Sequence, residues 1–122
     1  MDFDAVDNDE SAIARLPVHR VWIFEGYSGD RAAVHLKTMP GGDITDFRLI
    51  LRDPVFVRLS KGLKDLIIVR SSRVPPRVAE QIPGGLLADG DACWVAYDSP
   101  LCSTVICRHF ALYRRSGDEA QR

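Results

Sequence analysis

Long hydrophobic runs are missing from this 122-residue chain. A membrane-spanning helix needs about 20 consecutive apolar residues, and no stretch approaches that length. Cysteine is scarce, with only Cys93, Cys102 and Cys107. Three thiols at irregular spacing do not make a disulfide scaffold. No CxxC pair occurs, and Cys102, Cys107 and His109 fall short of a tetrahedral zinc set, so no metal is expected. The glycine pairs lack phosphate-loop chemistry: Gly26-Tyr27-Ser28-Gly29 and Gly84-Gly85 have neither the Lys-Ser/Thr of a P-loop nor dinucleotide-binding spacing. There is no G-x-S-x-G elbow, and Ser60, Ser71, Ser72 and Ser103 carry no flanking catalytic signature. In a strand Cys107 and His109 share one face, an arrangement that does not by itself mark a Cys–His dyad. Asp89, Asp91 and Asp98 bracket a strand and do not form a calcium loop. No cofactor is therefore expected.

What remains is the composition of an ordinary globular domain, 46% hydrophobic and 27% charged. The length suits one domain. Its division is read as an acidic, flexible arm over 1–11, a β-rich globular domain over 12–114 and a polar tail over 115–122. The acidic start is unlike a secretory leader. Together with unpaired thiols it points to a cytoplasmic or nuclear compartment.

Period-two alternation dominates the domain. Val18–Glu25 and Arg31–Lys37 flank a Gly-containing turn and read as a β-hairpin. Met39-Pro40-Gly41-Gly42-Asp43 is a second breaker. Thr45–Arg52 and Val55–Ser60 alternate again, and Leu66–Ser71, apolar on both faces, reads as a central strand. Pro76 opens a short helix that ends before Pro83-Gly84-Gly85. Strands near 92–98 and 103–114 complete a mainly β fold of six or seven short, mostly antiparallel strands, barrel or sandwich, with one helix near 76–82. The alternative is an α+β sheet with a second helix at 54–64, because Asp53-Pro54 also resembles a helix start. Trp22, Phe24, Trp94, Val95, Tyr97, Phe110 and Leu112 are the expected core or interface residues.

The net charge of −1 hides a strong asymmetry. Residues 1–10 carry five acids and no base. Residues 48–77 carry eight bases against two acids, a local charge of +6. The bases are Arg48, Arg52, Arg58, Lys61, Lys64, Arg70, Arg73 and Arg77. As strands, 45–52 and 55–60 put Arg48, Arg52 and Arg58 opposite Phe47, Leu49, Leu51, Val55, Val57 and Leu59. Such a face suits anionic partners, since guanidinium groups bind carboxylate and phosphate in a bidentate manner. The expected function is a small, non-enzymatic binding module acting through protein–protein contacts, self-association included. A nucleic-acid-binding β-barrel using segment 48–77 is the first alternative. An enzyme whose site has no recognisable motif is the second. A weak, salt-sensitive association of the arm with the basic segment is also expected.

Overall fold

Alternation along Val21–Ser28 and Ala33–Thr38 builds the first hairpin. Trp22, Val34 and Leu36 turn to one side and are fully buried. The computed structural model describes residues 3–13, 15–17, 20–29, 32–39, 46–83 and 93–115. Eight strands form: β1 (Phe3–Asn8), β2 (Val21–Ser28), β3 (Ala33–Thr38), β4 (Phe47–Arg58), β5 (Gly62–Lys64), β6 (Ile67–Arg70), β7 (Trp94–Tyr97) and β8 (Thr104–Arg115). Two short α-helices accompany them, α1 (Asp9–Ile13) and α2 (Pro76–Ala79). The mainly β architecture with a short helix near 76–82 is thus the observed one.

All strands pair antiparallel in a single sheet of order β5-β2-β3-β4-β8-β7-β6, and β1 pairs separately with β8. β5 and β6 stand at opposite ends of that order. Yet only Asp65 and Leu66 separate them in the chain, so their ends lie at most about 11 Å apart. The sheet must therefore curl, and Ser99 N donates to Lys64 O at 2.8 Å across the seam. The product is a half-barrel. Its inner face packs one core from every strand β2 to β8, including Trp22, Leu49, Leu63, Ile68, Trp94 and Phe110. Trp94 and Phe110 meet edge to face at 5.2 Å. A second, smaller core lies on the outer face, where Val78 and Ile82 cover Val95, Tyr97 and Ile106. Among the described residues no helix is long and apolar enough to cross a membrane.

Several expectations are revised. Residues 3–8, expected within a flexible arm, form β1, which pairs with the C-terminal half of β8; α1 follows directly. The helix alternative at 54–64 is not realised: β4 runs unbroken from Phe47 to Arg58, and β5 follows. Its ladder with β8 skips Val55, leaving that side chain 41% exposed instead of facing the core. A β-bulge of this kind absorbs the Asp53-Pro54 interruption, with Asp53 at φ 53°. β6 is an edge strand, pairing only with β7 among the described residues. It is apolar on both sides because Ile68 belongs to the inner core while Val69 packs against the outer one. Alternation also slips along β8. Val105 and Cys107 share the inner core with Phe110 and Leu112. Cys107 is therefore buried while His109 is exposed, and the pair does not share a face. The breaker at 40–43, the Gly84-Gly85 exit, Asp89-Gly90-Asp91 and tail residues 116–122 lie outside the described residues.

Candidate functional site

β3 pairs with β4 so that His35 lies opposite Ile50 and Lys37 opposite Arg48. β4 pairs in turn with β8, setting Arg48 opposite Tyr113 and Arg52 opposite His109. Phe47, Leu49 and Leu51 occupy or abut the inner core. The intervening Arg48, Ile50 and Arg52 consequently point outward, since strand side chains alternate. The same alternation on β3 sends His35 and Lys37 outward between buried Val34, Leu36 and Thr38.

These side chains form three bonded groups. Arg48 Nε donates to Glu25 Oε1 at 3.1 Å, and Lys37 Nζ lies 3.5 Å from Glu25 Oε2. Ser28 Oγ and His35 Nε2 share a hydrogen bond of 2.8 Å. Arg52 Nη2 donates to the Tyr113 phenol oxygen at 3.4 Å. Partial burial holds His35 below its ordinary range, with Arg48 and, more weakly, Arg52 acting in the same direction against the pull of Glu25. An imidazole kept neutral this way becomes protonated more readily when an anion is placed beside it. Among the described residues, Glu25 is the carboxylate that pairs with Lys37 and Arg48. Guanidinium groups on rigid strands make a pre-set receptor for carboxylate or phosphate oxygens.

The eight bases of segment 48–77 do not converge on this surface. Arg48 and Arg52 belong to it. Arg58 points outward at the other end of β4, where Nη1 donates to Gln81 O at 3.2 Å and Nη2 to Thr104 Oγ1 at 3.4 Å. It pins the segment after α2 to the sheet. Arg70 lies opposite Trp94 in the β6–β7 ladder, its guanidinium carbon 4.1 Å from the indole ring centre. Lys61 borders a groove with Phe24, Tyr27, Val57, Leu59 and Ser60. Lys64 is exposed on β5, and Arg73 and Arg77 are exposed around α2.

Lys37, His35, Glu25 and Tyr113 joined the surface without being singled out from the sequence. What local sequence does not carry is that β3 lies beside β4. Comparison with family models, with curated proteins and with solved structures finds no match to this chain.

Proposed function

We propose that this protein is a non-enzymatic binding module, and that the outer face of β3, β4 and β8 docks an acidic surface of a partner protein. The observation that carries this reading is the register that sets Lys37 and Arg48 side by side on Glu25, with Arg52 farther along β4 and His35 between them on the neighbouring strand. A hydrogen-bonded sheet fixes their spacing, so little side-chain order has to be created on binding. Acidic protein surfaces present clusters of carboxylates, which paired arginines recognise by position as well as charge. Stacking on nucleic-acid bases uses aromatic rings beside the cations; this face carries Tyr113, bonded to Arg52, while Phe24 and Tyr27 lie with Lys61 at a separate groove.

Fluorescence anisotropy with a labelled oligoglutamate peptide tests the reading. Binding should fall steeply as salt rises, because the contacts are exposed and screened. Combining Arg48→Ala with Arg52→Ala should abolish it, whereas Arg73→Ala with Arg77→Ala should leave it unchanged. Equal losses from both pairs would mean that the peptide senses overall charge and not this face. Tighter binding of a mixed-sequence oligonucleotide than of the peptide would favour the nucleic-acid alternative.

A further inference from the structure

A second site lies on the concave side of the sheet, away from the face that carries Arg48. The register of β2 with β3 sets Phe24 opposite Leu36 and Tyr27 opposite Val34, with a slip between Phe24 and Gly26. Leu36 and Val34 are fully buried in the inner core, and directly paired residues share a side of the sheet. Residues three apart on a regular strand face opposite ways. Here the bulge at Glu25 re-aims the chain, so Phe24 and Tyr27 come to one side. Gly26 permits this at φ 137°, a conformation that other residues rarely adopt. The two rings meet edge to face, with centres 5.2 Å apart and planes at 69°.

Beyond the bulge at Val55, Val57 pairs with Val105 of the inner core. Val57, Leu59 and Phe24 all pack against that core from its edge. Between them lies a groove of about 440 Å³, bordered by Ser60 and Lys61. That volume falls among small-molecule sites, which run about 300–1,000 Å³ and recur in the mouths of β-barrels. Elsewhere Ile13 and Leu16 pack over the inner core, whereas at the groove Tyr27 is left 44% exposed. Charge at the groove is one-sided. Lys61 is the charged residue among the described residues that line it. It is exposed and makes no ion pair with a described residue. Glu25, next to Phe24 in sequence, is turned away and bonded to Arg48. An apolar, aromatic-walled groove with one ammonium at its rim suits an apolar ligand with a single negative charge. A carboxylate carries one such charge, whereas a phosphate monoester carries about 1.5 to 2.

We propose that this groove binds a small aryl carboxylate, its ring against Phe24 and Tyr27 and its carboxylate on Lys61 Nζ. Two rings set nearly perpendicular offer one face for offset stacking and one edge for a T-shaped contact, so a planar ring meets both. The apolar remainder of the ligand covers Val57 and Leu59. The groove shares no lining side chain with the Arg48 and Arg52 surface, so its binding and that of an acidic partner are separable.

Amide NMR titration tests this with 4-phenylbutyrate and its uncharged analogue 4-phenylbutanol. The acid should give saturable shifts at Phe24, Tyr27, Val57 and Lys61. The alcohol should bind about three- to fivefold more weakly, the contribution of one exposed ion pair. Lys61→Gln should lower affinity for the acid to that for the alcohol and leave the alcohol unchanged. Tyr27→Ala, at an exposed position, should weaken both about fivefold. Arg48→Ala combined with Arg52→Ala should alter neither. Absence of saturable shifts with the acid overturns the proposal, as do equal affinities for acid and alcohol. Acid binding unmoved by Lys61→Gln or by Tyr27→Ala does so too, as does tighter binding of adenosine monophosphate than of the acid. A loss of acid binding in the Arg48 and Arg52 double variant also overturns it, since the acid would then sit on the outer face.

Discussion

β4 and β8 form one continuous ladder, but its two ends treat their outer surface differently. Toward the start of β8, Phe56 and Ile106 turn outward into a small apolar core closed by Val78 and Ile82. Toward its end, the outward side chains are Arg48, Arg52 and Tyr113, held by hydrogen bonds to one another and to Glu25. The two ends share an inner core, are separated by the bulge at Val55, and differ in the chemistry of their outward side chains. An apolar outer face demands a cover, and the chain supplies one in α2. A charged outer face needs no such cover. Arg58 marks the border, outward on β4 yet engaged with Gln81 and Thr104.

The largest expected effect comes from the inner core that both ends share. Trp94→Ala removes the ring that packs on Phe110 and beneath Arg70, and should cost about 3–5 kcal/mol in denaturant unfolding. A loss below about 1 kcal/mol, ordinary for a surface change, would show that the core is wrongly placed. Ile106→Ala tests the covered end alone. It should destabilise the fold by about 2–5 kcal/mol while leaving oligoglutamate binding intact wherever the protein remains folded.

The open end should behave in the opposite way. Arg48→Ala should change stability by about 1 kcal/mol at most, since exposed ion pairs contribute little, yet weaken acidic-peptide binding markedly. A variant that unfolds without losing peptide affinity would erase the contrast between the two ends. The smallest effect concerns pH. The folded chain holds His35 below 6.5, so the unfolded chain takes up that proton first. Stability is therefore unaffected above this value and declines as pH falls through it toward the lower, folded value. Comparing denaturation midpoints between about pH 8 and pH 5 in wild type and His35→Gln should show a shallower acid decline in the variant. Parallel curves would remove His35 from the account.

Much of this was legible locally. Alternation marked the hairpin, β7, β8 and the outward direction of Arg48 and Arg52. Pro76 placed the helix, because proline suits a first helical turn. Illegible were features decided by distant partners. β1 alternates acidic and apolar residues, which reads as a solvated arm until β8, about a hundred residues later, offers its edge. β5 has only three residues and begins at Gly62, too short to show a period. β6 looked central because both sides are apolar, but one side packs against α2's small core and no strand flanks it among the described residues. The basic segment looked like one patch because charge was summed along the chain. In three dimensions Arg58 secures the segment after α2, Arg70 covers Trp94, and Lys37 joins Arg48 from a different strand.

The contrast between the two ends of the ladder is tested most directly by mapping amide chemical shifts during titration with oligoglutamate. Perturbations should concentrate on His35, Lys37, Arg48, Ile50, Arg52 and Tyr113, fade with added salt, and leave Phe56, Val78 and Ile106 still. Shifts centred on α2, or spread evenly over every exposed arginine, would contradict the claim that the open half of the outer face is the binding surface.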